Sequence, residues 1–239
     1  MGGAEYMKSI KKYETIINEA LRSALEYDTP EGQINEFISF FGKHIGSDRI
    51  YIFEDDEEHH VTNNTYEWCA GGITPQIEHL QGVNMEVIDW WYDTFDEGKS
   101  VIISDVEELK GVHQVSYNML KYQNVCKVVV SPLRHKGQIK GFFGVDNPPA
   151  VDYNALTMFL DMIGTMLISL LKIRNTFQKE QYNASMSSYS ALSEIYLCMH
   201  LIDIKTGKYE QIKNVKHVEK ECEGYFEEFS DSLKEYIQL

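Results

Sequence analysis

Apolar residues at Ile10, Tyr13, Ile17, Ala20, Leu21 and Ala24 recur at three- and four-residue steps, which places them on one face of a helix and predicts an amphipathic helix over 8–27. Thr29 can cap a second helix with Pro30 at its first position, and Ile34, Phe37, Ile38, Phe41 and Ile45 keep the period until Gly46 ends it. At Arg49 the period changes. Ile50-Tyr51-Ile52-Phe53 is β-branched and aromatic, as a strand buried on both faces would be. After an acidic tip at 54–60, a second strand over 61–70 carries Thr62, Asn64, Tyr66 and Trp68 in alternation with Asn63, Thr65, Glu67 and Cys69. Gly71-Gly72 and Pro75 mark a long loop, followed by a short helix over 86–95 that holds Trp90-Trp91 and a short strand over 100–103.

The stretches 127–133 and 138–145 predict a second hairpin about the turn His135-Lys136-Gly137, and the run Gly141-Phe142-Phe143-Gly144 suits a crowded central strand. A long helix is predicted over 152–178. Leu156, Ile163, Leu170 and Phe177 step by seven, with further rows at Leu160 and Leu167 and at Phe159, Met166 and Ile173, a stripe wider than one packing contact needs. Residues 181–190 are polar and Ser-rich, as a linker would be. Beyond them, 196–204 and 209–212 predict a third hairpin, with a helix between Val218 and Tyr236.

The 239 residues, 43% of them hydrophobic and 25% charged, are enough for one full domain and something more. Lys and Arg number 22 against 37 for Asp and Glu, and a net charge of −15 argues against nucleic acid or an anionic membrane as partner. Cys69, Cys126, Cys198 and Cys222 have no C-x-x-C or other zinc spacing. The N-terminal residues hold no apolar signal core. The most apolar stretch, 158–173, is interrupted by Asp161 and falls short of the roughly 20 residues of a bilayer span, so the expectation is a cytoplasmic protein with no membrane segment.

The order helix, helix, hairpin, long crossover with short helices, hairpin, long helix resembles that of a GAF domain. More specific are Tyr66-Glu67-Trp68-Cys69-Ala70, Pro75-Gln76-Ile77, Trp90-Trp91, Ser131-Pro132-Leu133 and Gly141-Phe142-Phe143-Gly144-Val145-Asp146-Asn147-Pro148. These look like the GAF modules that precede diguanylate cyclase or other output domains in bacterial sensors. Met199-His200-Leu201-Ile202-Asp203 and Thr206-Gly207-Lys208-Tyr209 are similar to the opening hairpin of a PAS-like module. The division that results is an extension and the start of the first helix at 1–12, a sensor domain at 13–180, a linker at 181–190 and a partial PAS-like segment at 191–239.

The resemblance implies an α+β fold: a six-stranded antiparallel sheet with the terminal helices on one face and a ligand pocket under the crossover on the other. Carried onto this chain, Phe53, Tyr66, Trp68, Trp90, Trp91 and Tyr92 and the segment from Asp105 to Tyr117 would wall that pocket. The Asn-Lys-Phe-Asp-Glu signature of cyclic-nucleotide-binding GAF domains is not present, and no cysteine sits where a phytochrome would attach a tetrapyrrole. The ligand and any cofactor therefore stay unnamed. Arg49, Lys99 or Lys127 could neutralise an anion locally.

A metal at 54–60 is disfavoured because consecutive strand residues point to opposite faces. Cys69 and Cys126 invite comparison with the free methionine-(R)-sulfoxide reductases of GAF fold, but their flanking residues differ from that group. No P-loop, cyclase signature, kinase loop or hydrolase triad is found, so no catalytic residue is assigned. The expected function is a small-molecule sensor that relays through its terminal helices to an output domain. The alternatives are a redox enzyme or a ligand-free dimerisation scaffold. The wide stripe predicts a homodimer through Phe159, Met166, Leu170, Ile173 and Phe177.

Overall fold

In the computed structural model, which describes residues 3–149, 153–193, 199–202, 208–213 and 223–225, the two N-terminal periodic stretches are helices α1 (Gly3–Ala24) and α2 (Pro30–Ile45). Thr29 caps α2 by accepting from the Gly32 amide, and Gly46 ends it at φ 77°, a left-handed conformation that glycine adopts without a Cβ clash. Strands β1 (Arg49–Asp56) and β2 (Val61–Cys69) form the first hairpin. The crossover then runs through β3 (Val83–Asn84), a 3-10 turn, α3 (Asp89–Asp96), β4 (Val101–Ile103), a second 3-10 turn and α4 (Gln114–Tyr122). β5 (Val128–His135) and β6 (Gln138–Asp146) make the second hairpin, and α5 (Tyr153–Ser193) follows.

The six strands pair antiparallel in the order β3-β2-β1-β6-β5-β4. Because β1, β5 and β6 are buried at consecutive positions over 49–53, 128–133 and 141–146, both faces of the sheet must be covered. One face packs Ile50, Ile52, Val129 and Phe143 against Phe37 and Phe41 of α2 and Leu156, Leu160, Ile163 and Leu167 of α5. The other packs Tyr51, Phe53, Val128, Val130 and Phe142 beneath Trp91, Phe95, Val106 and Leu120 of the crossover. This is the expected α+β architecture.

One irregularity changes the assignment of faces. Ile52 pairs with Tyr66, yet Phe53 pairs with Asn64, so Thr65 is an extra residue in β2. A bulge of one residue sends the two halves of a strand to opposite faces. Thr62 and Asn64 accordingly lie on the crossover face, while Tyr66 and Trp68 join the helix-side core. The unbroken alternation expected across 61–70 is thus corrected.

Helix α5 is 41 residues long and continues through 181–190, which were expected to form a linker. Phe159, expected in a dimer contact, is buried against Tyr13 of α1 with ring centroids 5.5 Å apart. By length and composition alone α5 holds, within Tyr153–Ser187, an 18-residue window of mean hydropathy 1.7 that is apolar enough to cross a bilayer. Leu156, Leu160, Ile163, Leu167 and Leu171 spend that apolarity in the core beneath the sheet.

The chain divides into two compact units, Met1–Arg174 and Asn175–Leu239. In the second, β7 (Met199–Ile202) and β8 (Lys208–Lys213) form the third hairpin, joined by β9 (Glu223–Tyr225) in the order β7-β8-β9. The helix expected between Val218 and Tyr236 is contradicted at β9, and its other residues lie outside those described.

The Gly-Phe-Phe-Gly run is crowded as expected: a Cβ at Gly144 would run into the Tyr51 ring, and one at Gly141, φ 134°, into the Phe53 carbonyl. Gly144→Ala should therefore cost about 1–3 kcal/mol of stability through overpacking. Urea unfolding of the variant checks this, and a loss below a few tenths would mean that Tyr51 moves aside freely.

Candidate functional site

Arg49, Tyr51 and Phe53 occupy alternate positions of β1 and so share the crossover face. Asp146, at the end of β6, pairs across from Arg49, and Phe142 pairs across from Phe53. Above them the crossover contributes Ile88, Trp91, Leu80, Met119, Leu120 and Gln123. Together these residues enclose a cavity of about 40 Å³, walled mostly by apolar side chains.

Its polar end is an ion pair. Arg49 Nη1 donates to Asp146 Oδ2 at 3.2 Å, and both side chains are 4% exposed. Arg49 Nη2 donates to the carbonyls of Thr74 at 3.1 Å and Gln123 at 3.2 Å, tying two crossover loops to the sheet. Burial pushes the Asp146 carboxyl up to about 6, with Arg49 pulling the other way; burial, with Asp146 beside it, also holds the Tyr51 hydroxyl well above its ordinary value. Glu67 lines the same cavity and fixes the loop above it, accepting from the amides of Gln76 at 2.8 Å and Ile77 at 3.1 Å. Arg49 and Gln123 also border an outer cleft of about 250 Å³ beside Thr74 and Tyr122, so they stand between cavity and solvent.

Of the residues expected to wall the pocket, Phe53 and Trp91 line it. Trp90 diverges from its neighbour, as adjacent helical residues must: its indole N–H donates to Ser116 at 3.1 Å and its ring stacks on His113 at 4.3 Å, locking α3 to α4. Tyr92 stands behind the wall, its hydroxyl donating to Asp55 at 2.7 Å. Tyr117 packs on the outer side of the same core and donates to Glu107 at 3.2 Å. Two corrections follow from the bulge, since Tyr66 and Trp68 lie on the opposite face of the sheet. A third concerns Asp105, which is exposed and caps the second 3-10 turn by accepting from the Glu107 amide.

Sequence reasoning did not assign Tyr51, Glu67, Phe142 or Asp146 to the pocket and read Arg49 only as a local cation. The available signal was a charged residue bordering the apolar run of each strand, Arg49 before 50–53 and Asp146 after 141–145.

The acidic tip disperses over several partners. Glu54 forms two hydrogen bonds with Arg174 of α5, at 2.8 and 2.9 Å, and Arg174 also reaches the Tyr66 hydroxyl at 3.2 Å. Asp55 turns to Tyr92, Asp56 to His59 at 2.8 Å, and Glu57 to Lys140 at 2.6 Å. Cys69 is half-buried, and burial followed by Glu67 pushes its thiol up to about 11; Cys126 is exposed.

No protein-family model matches this sequence, and no curated protein matches it. Solved structures do. The phycocyanobilin-bound GAF domain of a cyanobacterial phytochrome superposes with a TM-score of 0.54 at 16% identity, covering 70% of this chain and 96% of that one. The GAF domain of a phosphoenolpyruvate-protein phosphotransferase from Coxiella burnetii gives 0.55 at 10% identity, over 71% and 98%. Free methionine-R-sulfoxide reductase from Neisseria meningitidis, in complex with its substrate, gives 0.52 at 10% identity, over 70% and 92%. The chain has the GAF fold.

A carboxyl raised from 3.8 to about 6 binds its proton more tightly in the folded than in the unfolded chain. The stabilisation this gives is full below about pH 4 and is lost as the pH rises through 6. Asp146→Asn removes that dependence. Between pH 4 and 7 the variant should gain about 1–3 kcal/mol relative to the parent chain, read by urea unfolding at each pH. A pH-independent difference would contradict the assignment.

Proposed function

We propose that the chain is a cytoplasmic sensory GAF module of a bacterial signalling protein. A small molecule occupies the cavity beneath the crossover, and its binding is relayed through β1 to α5 and onward to an output domain such as a diguanylate cyclase. The hairpin at 199–213 is in this reading the start of a PAS-like module.

The observation that carries the proposal is the two-sided use of β1. Phe53 lines the cavity, the next residue Glu54 holds α5 through Arg174, and Asp55 holds α3 through Tyr92. A change in packing at Phe53 therefore acts on charge-assisted bonds to the helix that leaves the domain.

The ligand is small. Pockets for drug-sized ligands span about 300–1,000 Å³, well above this cavity, and no described cysteine lines it, so the tetrapyrrole of the phytochrome neighbour is not transferred. A reductase function through Cys69 draws less support, since a thiol held near 11 is protonated at neutral pH and a poor nucleophile; the exposed Cys126 does not line the cavity.

The second partner is another copy of the chain. Met158, Met162, Ile173 and Phe177 are exposed along one side of α5, with the partly buried Met166 and Leu170 at the border of that row. Burying this row between two copies removes it from water.

Native mass spectrometry of the freshly purified chain should show a co-purified small molecule that denaturation releases; a chain that is always empty counts against sensing. Light scattering at tens of micromolar should report a dimer, and Ile173→Glu with Phe177→Glu a folded monomer. An unchanged dimer in that double variant would move the interface elsewhere.

A further inference from the structure

Among the described residues, the buried side-chain polar atoms without a hydrogen-bond partner are Arg49 Nε, Trp91 Nε1 and Asp146 Oδ1, and all three residues line the one cavity. Each is less than 5% exposed. Orphaned polar atoms in a protein interior are uncommon and costly, so three on residues that line a single cavity point to what an occupant would satisfy. Two are donors and one is an acceptor. A ligand that satisfies them must offer acceptors and at least one donor.

The walls constrain the rest of the molecule. Tyr51, Phe53, Phe142 and Trp91 present aromatic surface, with Phe53 and Phe142 stacked at 4.6 Å and Trp91 edge-on to Phe142 at 5.5 Å. Flat rings pack well in such a site. The one cation of the lining is already committed, since Arg49 is paired with Asp146, and Glu67 spends one oxygen on two backbone amides. An anionic ligand would lose its hydration without gaining a free counter-charge, and a cationic one would have to draw Glu67 away from the loop it fixes. Size sets the last limit. About 40 Å³ lies below the roughly 150 Å³ that holds benzene, so the partly buried Leu80 and Met119 must yield, and the three side-chain torsions of Met119 permit this.

We infer that the cavity binds a compact, uncharged, planar ring that carries a carbonyl beside an N–H, a cyclic amide or a nitrogen heterocycle of that edge. The carbonyl accepts from the orphaned donors, the N–H donates to Asp146, and the ring lies among the aromatic side chains. This inference rests on the cavity being the ligand site proposed above.

The test uses the full chain and four single-ring probes: 2-pyridone, N-methyl-2-pyridone, benzoate and benzylamine. The indole N–H resonance of Trp91, assigned by its disappearance in Trp91→Phe, reports location, and ligand-observed NMR titration gives affinity. 2-Pyridone should shift that resonance and bind at least tenfold more tightly than its N-methyl analogue, whose donor is blocked. Trp91→Phe, which keeps an aromatic ring, should weaken 2-pyridone several-fold. Equal binding of 2-pyridone and its methylated form would overturn the donor and acceptor assignment. Preference for benzoate or benzylamine would overturn the uncharged class while leaving the cavity as a ligand site. Failure of all four probes to move the Trp91 resonance overturns this inference, and if native mass spectrometry also finds the chain empty, the sensory reading falls with it.

Discussion

A sheet covered on both faces must divide its strand residues between two interiors, and here nearly everything of functional interest follows from how β1 makes that division. Ile50 and Ile52 go to the helices; Arg49, Tyr51 and Phe53 go to the crossover. No position on this strand is spare for most of its length. A shift of one residue would place Arg49 among the leucines of α5 and Ile50 against Asp146, exchanging a paired buried charge for an unpaired one. The register of the central strand is thus held by electrostatic cost as much as by shape.

The fold was legible because its signals are local. Thr29-Pro30 and Gly46 punctuate α2, the aromatic and β-branched runs mark β1, β5 and β6, and the period of 156–177 marks α5. Element boundaries were read less well. Residues 181–190 looked like a linker on composition, but Ser and Asn cost a helix only about half a kcal/mol each, and a helix already begun carries through them. The short β3 and the helix α4 were not anticipated, since two paired residues and nine weakly patterned ones give little periodicity to detect.

The site was half legible. Phe53 and Trp91 could be placed by face and by aromatic character. Tyr66 and Trp68 could not, because a bulge at Thr65 carries no composition signal when the extra residue is as β-favouring as its neighbours. Arg49 and Asp146 lie 97 residues apart and meet only through the pairing of β1 with β6. Each alone looks like a solvated strand end; their meaning comes from the contact.

The same sheet has a consequence for how the molecule meets its surroundings. Its outermost strands are β3, of two residues, and β4, of three. Where β3 leaves β2 uncovered, the loop supplies partners: the Asn64 amide donates to the Leu80 carbonyl, the Gln81 side chain donates to the Asn64 carbonyl, and the Gly82 amide donates to the Asn63 side chain. Unpaired edges are where one sheet recruits another into a ladder, and two edges this short, the β2 side also occupied by its loop, offer little template for it. The fold therefore guards against edge-to-edge aggregation by brevity and by loop capping, without a proline or a row of lysines along either margin.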